Sequence, residues 1–194
     1  MAVRRWLFVL CALLLLFFWW VVWQPGQGGQ LRVTVQAEVS YTLLGPPTVS
    51  AAFIDQVLAA YHSPAQGLGQ ALYVDGVESG IDPVYALAFF LHESSFGTTG
   101  EARKTLSLGN ERCIPDRFCV DLDQGGYAQM ESWEDGFVHW YALMLHLYIG
   151  QWHLTTVEQI VPKYAPSSDG NDVAAYIAAI EQAVETWRRG EVWV

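Results

Sequence analysis

The chain has 194 residues, of which 52% are hydrophobic and 14% aromatic, so it is long enough to bury one sizeable core. Its formal net charge is −10; two arginines give the first 23 residues a charge of +2, which leaves −12 for residues 24–194. This acidity argues against binding to nucleic acid, where basic groups neutralise phosphates, and against adhesion to anionic lipid head groups. An uncharged glycan remains compatible with it.

The N-terminal segment contains an uninterrupted apolar run of 18 residues, from Trp6 to Trp23, preceded by Arg4 and Arg5. At about 1.5 Å per residue, a helix of this length comes close to spanning the hydrocarbon core of a bilayer. Because both arginines precede the run, the positive-inside rule places the N-terminus in the cytoplasm and the rest outside. We therefore predict a transmembrane anchor over residues 1–23 and a location at the cell membrane. The alternative is a cleaved signal peptide and a secreted protein.

Residues 24–48 form the predicted linker, whose first seven residues are rich in Gly and Gln and are typical of a flexible spacer. From residue 31 to residue 42 apolar and polar side chains alternate, which predicts an extended stretch. This stretch either pairs with the domain, for example with residues 191–194, or forms a stalk. A Gly-Pro-Pro turn at residues 45–47 then interrupts the pattern, so we place the start of the domain at residue 49.

Residues 49–194 are predicted to form a mainly helical domain. The periodicity of apolar residues predicts helices near residues 53–61, 67–79, 83–94, 132–147, 155–164 and 172–188. Asp82 and Pro83 open the third helix, and Ser132 with Asp135 forms a capping box for the fourth. The third helix is apolar on nearly every face, which predicts a buried central helix. Residues 97–130 are rich in small polar residues and are predicted to be loops with at most a short hairpin.

The cysteines indicate one disulfide. Cys113 and Cys119 are close in sequence, lie in a polar loop and would meet an oxidising compartment after export, so we expect them to pair. Two free thiols are the alternative. A zinc site is disfavoured because no histidine lies nearby at the spacing of a zinc finger.

Glu93 is the strongest candidate for acid chemistry. It follows Phe90, Phe89 and Ala86 by three, four and seven residues, so it shares their apolar stripe on the third helix. Desolvation there raises the pKa of a carboxyl, and the negative end of the helix dipole has the same effect. A glycosidase needs such a protonated general acid near neutral pH. The alternative is a structural ion pair with one of the nearby cations, Arg103, Lys104 or Arg112.

Three motifs carry a resemblance to a known family: the run GIDPVYALAFFLHESSFGTTGEA that contains Glu93, SLGN at residues 107–110 and YAP at residues 164–166. With them, residues 49–190 resemble the bacterial endo-β-N-acetylglucosaminidase domain of the lysozyme-like superfamily, which is found in cell-wall hydrolases. The helix ending in Glu-Ser with a nearby Phe-Gly is the most specific of these signatures. The resemblance implies a lysozyme-like fold and cleavage of the β-1,4 bond between N-acetylglucosamine and N-acetylmuramic acid in peptidoglycan.

The resemblance also implies roles for individual residues. Glu93 matches the general acid of the family, Tyr164 its active-site tyrosine, and Asn110 an asparagine in the loop that lines the cleft. The reaction also needs a base or a stabilising charge on the opposite face of the sugar, unless the acetamido group of the substrate assists and Tyr164 orients it. The candidate second carboxylates are Glu111, Asp116, Asp121, Asp123 and Glu131. We favour Asp123, because a hairpin tip before Gly125 would present its carboxylate.

Aromatic residues are candidates for stacking on sugar faces, namely Phe96, Tyr127 and Trp133, with core packing as the alternative for each. We expect no cofactor and no metal. Three histidines (His139, His146 and His153) recur every seven residues, but about 10.5 Å of helix separates neighbours, too far for ligands of one ion. Asp169, Asn171 and Asp172 lack the full spacing of a calcium loop and fit helix capping better.

The sequence therefore predicts a membrane-anchored peptidoglycan hydrolase with Glu93 as its general acid. Within the same fold, a lytic transglycosylase or a muramidase is an alternative. From a different class, a non-catalytic, membrane-tethered module that binds glycan is a further alternative, which the unassigned second carboxylate favours.

Overall fold

The computed structural model of the protein describes residues 40–194. The predicted transmembrane anchor, the spacer and most of the predicted extended stretch lie outside these residues. Within residues 40–194, no helix is both long enough and apolar enough to cross a membrane.

The described part of the chain is mainly helical with one small antiparallel hairpin, as the sequence predicts. Its α-helices are α1 (Ala51–Ala60), α2 (Gly69–Ser79), α3 (Pro83–Ser94), α4 (Ala102–Thr105), α5 (Trp133–Ala142), α6 (Val157–Tyr164) and α7 (Val173–Arg188). The strands are β1 (Phe118–Val120) and β2 (Tyr127–Gln129). Short 3-10 turns occupy Leu122–Gln124 and Ser167–Asp169.

The helix boundaries follow from capping residues. The Asp82 side chain accepts a hydrogen bond from the Val84 backbone N–H at the start of α3. Ser132 does the same for the Asp135 N–H at the start of α5. Gly80, in the left-handed conformation with φ of 70°, ends α2, because a glycine adopts this conformation without a Cβ clash.

Helix α3 lies in the centre of the core, as its sequence predicts. Every residue from Pro83 to Phe90 is buried, and α3 packs against both α2 and α7. Phe90 stacks on Phe137 and meets Trp140 edge to face, with ring centroids 5.9 and 5.3 Å apart. The end of α3 that carries Glu93 is therefore held by a rigid core.

One helix differs from its predicted form. Helix α5 continues directly into a nine-residue π-helix, Leu143–Gln151. Here the Trp152 N–H donates to the carbonyl oxygen of Leu147, five residues earlier, at 2.9 Å. Long π-helices are rare and often mark functional sites. The sequence predicts an ordinary helix here, because its apolar periodicity does not distinguish hydrogen bonds to the fourth residue back from hydrogen bonds to the fifth.

The hairpin is confirmed as short. Its strands pair Phe118 with Gln129, Cys119 with Ala128 and Val120 with Tyr127. Cys113 and Cys119 are joined by a disulfide, with Cα atoms 5.2 Å apart, which ties the preceding loop to β1.

Residues 41–44, which we call the strap, belong to the helical unit. Leu43 is fully buried; its N–H donates to the Thr155 carbonyl at 2.8 Å, and its carbonyl accepts from the Asp82 N–H at 2.9 Å. The packed unit therefore begins before the Gly-Pro-Pro turn at residues 45–47, where the sequence suggests a boundary. The strap forms β-bridges with Thr156 and Ile81 rather than with residues 191–194, the partner suggested by sequence.

Candidate active site

An open cleft of about 760 Å³ lies beside the end of α3. Its wall combines the loop after α4, the π-helix and the C-terminal end of α6. The polar side chains that line it are Glu93, Asn110, Glu111, Arg112, Asp116, Tyr127, His139, Tyr148, Lys163, Tyr164, Asp169 and Asn171. Cavities of this size accommodate several sugar rings or a comparable small ligand.

Glu93 lies in the last turn of α3 and is held by two hydrogen-bond donors. The Tyr176 hydroxyl, from α7, donates to Glu93 Oε1 at 2.6 Å. Asn110 Nδ2 donates to the Glu93 carbonyl oxygen at 2.9 Å and to Oε2 at 3.3 Å. The carboxyl is thus fixed from two sides while it faces the cleft.

Burial raises the pKa of Glu93 above its ordinary value, and this effect exceeds the opposing ones. Hydrogen bonds from Tyr176 and Asn110 stabilise the charged form and lower the pKa, as does the positive charge of Arg112. The alternative of an ion pair with Lys104 does not arise, because Lys104 pairs with Glu101 and Asp121 at 3.1 and 3.4 Å. The structure therefore shifts the equilibrium of Glu93 toward its protonated form, the direction that the apolar stripe predicts.

A strained turn directly after Glu93 holds the end of α3 against the loop. Ser95, Phe96 and Gly97 are all left-handed, with φ of 46°, 56° and 80°. The buried hydroxyl of Ser94 donates to the Leu108 carbonyl at 2.8 Å and accepts from the Gly97 N–H at 2.9 Å. Consecutive non-glycine residues in this conformation cost free energy, and such strain clusters at functional sites.

Tyr164 lines the cleft at the end of α6. Its hydroxyl donates to the Gly109 carbonyl at 2.6 Å, and its ring meets Phe89 edge to face at 5.2 Å. A Cβ on Gly109 would lie only 2.6 Å from Trp140 Cδ1 and 3.0 Å from the Tyr164 hydroxyl. The glycine thus allows the loop to approach Tyr164, next to the asparagine that binds Glu93.

Glu111 is the second buried acid of the cleft and is only 5% exposed. Its N–H donates to Ser107 Oγ at 3.2 Å and its carbonyl accepts from the Ala128 N–H at 3.0 Å, so loop and hairpin both fix its backbone. Its Oε2 atom is enclosed and has no hydrogen-bond partner within residues 40–194. Burial, followed by the negative charges of Asp135 and Asp116, raises the pKa of Glu111 to about 8.

The candidate second carboxylates separate into two groups. Glu111 and Asp116 line the cleft. Asp123, the favoured candidate from sequence, lies in the exposed turn Leu122–Gln124 and does not line the cleft, so the structure gives the preference for it no support. Asp121 pairs with Lys104, and Glu131 is exposed and borders a different pocket.

Of the three candidate stacking residues, only Tyr127 lines the cleft, with the Arg112 guanidinium 4.7 Å from its ring centroid. Phe96 is fully buried against Tyr61 and Trp187, which fits the alternative of core packing rather than stacking on a sugar. Trp133 packs beside Gly97, where a Cβ would lie 2.9 Å from the indole, and does not line the cleft.

Two tyrosines of the site, Tyr176 and Tyr148, are not among the candidates from sequence. Tyr176 binds Glu93, and Tyr148 lines the cleft from the π-helix. An aromatic residue on a helix is most often part of the core, so the sequence gives no signal for either one. Asp169 also lines the cleft, although its position in sequence suggests only a role in capping.

Within residues 40–194, no group of three His, Cys, Asp or Glu side chains is placed to hold a metal ion. His139 lies 3.6 Å from Asp135 on the same helix. Asp172 caps α7 by accepting a hydrogen bond from the Ala175 N–H at 3.0 Å.

Neither a scan against models of known protein families nor a search of curated proteins finds a match for this chain. The fold and the site define a mainly helical domain with a partly buried acid at a helix end, facing an open polar cleft.

Proposed function

We propose that the protein is a glycoside hydrolase with a lysozyme-like fold, which cleaves β-1,4 bonds of peptidoglycan or a related N-acetylated glycan. The observation that carries the proposal is Glu93: a partly buried carboxyl with a raised pKa, fixed by two donors at the edge of a cleft of about 760 Å³. The motifs around Glu93, residues 107–110 and residues 164–166 support the substrate class. The reaction type is that of an endo-β-N-acetylglucosaminidase.

Glu93 acts as the general acid in this proposal. Its proton passes to the glycosidic oxygen as the bond to the anomeric carbon breaks, and water adds to that carbon. Glu93 is then a carboxylate, which the hydrogen bonds from Tyr176 and Asn110 stabilise. Burial favours the acid before proton transfer, and the two donors favour its conjugate base afterwards.

The incoming water must also lose a proton. Asp116 and Asp169 fit this role by position, because both line the cleft and are exposed to solvent. The second route is assistance by the acetamido group of the substrate, which needs no second carboxylate. In that case Tyr164, which lines the cleft, would orient this group.

The test is Glu93→Gln on purified cell wall, measured as loss of turbidity. We expect the rate to fall by about 100-fold or more, because an amide cannot donate the proton. Glu78→Gln is the matched control: Glu78 also lies near the end of a helix but is exposed and does not line the cleft. Equal rates for the wild type and Glu93→Gln would refute the acid assignment.

The products separate the related reactions. Reducing N-acetylglucosamine ends support the proposed activity, whereas 1,6-anhydro-muramic ends would identify a lytic transglycosylase and reducing muramic ends a muramidase. Binding of cell wall without any product would identify a non-catalytic module. The apolar run at residues 6–23 supports a location at the membrane with the domain outside, or secretion if the run is removed.

A further inference from the structure

The hairpin carries an exposed aromatic ring that the proposed acid chemistry does not use. Phe118, in β1, is 84% exposed, more than any other large hydrophobic side chain of residues 40–194. Single exposed hydrophobic residues are common and need no explanation. What distinguishes Phe118 is its position, because it borders a second pocket, of about 610 Å³.

This second pocket adjoins the cleft. Asp116 lines both of them. The chain runs from Ile114, in the wall of the cleft, to Phe118, in the wall of the second pocket. A ligand that leaves the cleft past Asp116 therefore meets the hairpin next.

One face of the hairpin connects the two pockets. The antiparallel register places four side chains on that face: Phe118, Val120, Tyr127 and Gln129. Ala128, on the opposite face, is fully buried, so the four side chains point away from the core. Tyr127 lines the cleft and Phe118 lines the second pocket, so a single face runs from one to the other.

We infer that Phe118 and Gln129 form an additional sugar-binding subsite, which extends the cleft along the hairpin for a polymeric glycan. This inference rests on the proposed glycan substrate and states which end of the cleft a long strand occupies. It gives the two residues a part in binding, remote from the proton transfer at Glu93.

The two side chains complement a sugar ring. Phe118 and Gln129 are directly opposed in the register, which brings their side chains to within about 5 Å of each other. The apolar C–H face of a sugar can stack on the aromatic ring, while the amide offers a donor and an acceptor to the hydroxyl groups at the edge. Gln129 Nε2 lies 3.5 Å from the Lys104 carbonyl oxygen, a long contact that a sugar hydroxyl can replace.

The backbone on both sides of Phe118 is fixed before any ligand arrives. Arg117, the residue before it, binds both carboxylate oxygens of Asp135 on α5, at 3.0 and 2.7 Å. Cys119, the residue after it, is joined by the disulfide to Cys113 in the wall of the cleft. Little backbone ordering remains to be paid on binding, so this exposed ring is preorganised as a platform.

The experiment measures binding by calorimetry in the Glu93→Gln background, where cleavage is removed. The probes are peptide-free peptidoglycan strands, one of two disaccharide repeats and one of five. We expect Phe118→Ala to weaken binding of the longer strand by about fivefold or more. Binding of the shorter strand should change by less than about twofold, because that strand fits in the cleft without reaching the hairpin.

Two further variants test the pairing of ring and amide. Gln129→Ala should weaken binding of the longer strand in the same way, by about threefold. The effects of Phe118→Ala and Gln129→Ala should not add in the double variant, because both side chains contact the same sugar. With Glu93 restored, Phe118→Ala should raise KM for the longer strand and leave kcat unchanged, since the contact is the same in the ground state and the transition state.

Leu122→Ala is the matched control. Leu122 is 74% exposed in the turn of the same hairpin but borders neither pocket, so we expect no change in strand binding. Phe118→Trp, which keeps an aromatic face, should retain the affinity for the longer strand. Circular dichroism of each variant shows whether the fold is retained, and Phe118→Trp carries the test if Phe118→Ala does not fold.

Four outcomes would overturn the inference: unchanged binding of the longer strand in Phe118→Ala, equal losses for the two strand lengths, an equal loss in Leu122→Ala, or a loss in Phe118→Trp as large as in Phe118→Ala. Loss of self-association in Phe118→Ala, seen by sedimentation with strand binding unchanged, would overturn it too and assign this face to a second copy of the chain.

Failure of the inference is distinguishable from failure of the proposed function. If cell-wall digestion depends on Glu93 while strand binding ignores Phe118, only the hairpin subsite is wrong. If no digestion occurs but the longer strand binds through Phe118, only the hydrolase assignment is wrong.

Discussion

Opposing effects act on the pKa of the Glu93 carboxyl. Burial favours its protonated form, whereas Tyr176 and Asn110 favour the charged form through hydrogen bonds. Tyr176 comes from α7 and makes the shorter contact, at 2.6 Å, so it is the stronger of the two donors by distance. The pH range of activity should therefore respond to this tyrosine.

Tyr176→Phe removes that donor and should raise the pKa of Glu93 further, because the carboxylate loses stabilisation. The basic limb of the pH profile of kcat/KM, which reports loss of the acid's proton, should move to higher pH. We expect kcat to fall by only about tenfold, since the acid itself remains. Tyr73→Phe, on α2 and outside the cleft, should leave the profile unchanged. A basic limb that stays in place in Tyr176→Phe would contradict this account of Glu93.

At the scale of residues, the sequence predicts Glu93 because a charged side chain interrupts an otherwise apolar stripe. Asn110 and Tyr164 follow from the motifs that flank it. The buried state of Glu111 has no such signal, because it results from long-range packing: its carbonyl binds Ala128 in the hairpin, and the acids that raise its pKa include Asp135 on α5. For Phe96 the alternative of core packing fits the structure, because the left-handed turn after Ser94 directs its ring into the core.

Among the elements, helix α5 lies unusually close to the loop that carries Asn110 and Glu111. A Cβ on Gly136 would lie 2.5 Å from the carbonyl oxygen of Leu106, so only a glycine permits this approach. The contact brings α5, which bears Asp135, against the start of the loop.

Gly136→Ala should therefore lower the free energy of unfolding by about 1–2 kcal/mol, because the strain of the clash exceeds the gain in helix propensity. Urea unfolding followed by circular dichroism measures this difference. Gly45→Ala is the control: a Cβ there meets nothing within 4 Å, and we expect a change within about 0.5 kcal/mol. Stabilisation by Gly136→Ala would show that the loop moves freely away from α5.

Capping residues explain why most elements are predictable. Two helices start at side-chain caps, Asp82 and Ser132, and one helix ends at a left-handed glycine, Gly80. Such local signals can be recognised in the sequence. The π-helix and the strap are different. Both depend on hydrogen bonds whose partners are determined by the packing of the whole domain, so no local sequence pattern predicts either of them.

For the molecule as a whole, buried acids make stability depend on pH in an uncommon direction. The pKa of Glu111 is about 8 in the folded protein, against an ordinary value of 4.5. Between these values the folded state keeps a proton that the unfolded state has lost. The stabilisation is complete below about pH 4.5 and is lost as the pH rises to about 8, and Glu93 acts in the same direction.

We expect the free energy of unfolding to fall between about pH 5 and pH 8, by roughly 3–5 kcal/mol from Glu111 alone. Glu111→Gln should remove most of this fall, while Glu78→Gln, at an exposed site, should retain it. Urea titrations at several pH values measure the slope. Parallel slopes in the wild type and Glu111→Gln would rule out a protonated Glu111 in the folded protein.

The strap links the starts of the two helices whose ends border the cleft. It binds Asp82, the cap of α3, and Val157, the first residue of α6. Glu93 lies near the far end of α3 and Tyr164 at the far end of α6. Because Glu93 lies 11 residues after Asp82, about 16 Å of helix separates the strap from the acid. Both helices are therefore held at their starts by the same segment. A tilt of α3 by about 5° at the strap would move its Glu93 end by about 1.5 Å, a misplacement large enough to impair proton transfer.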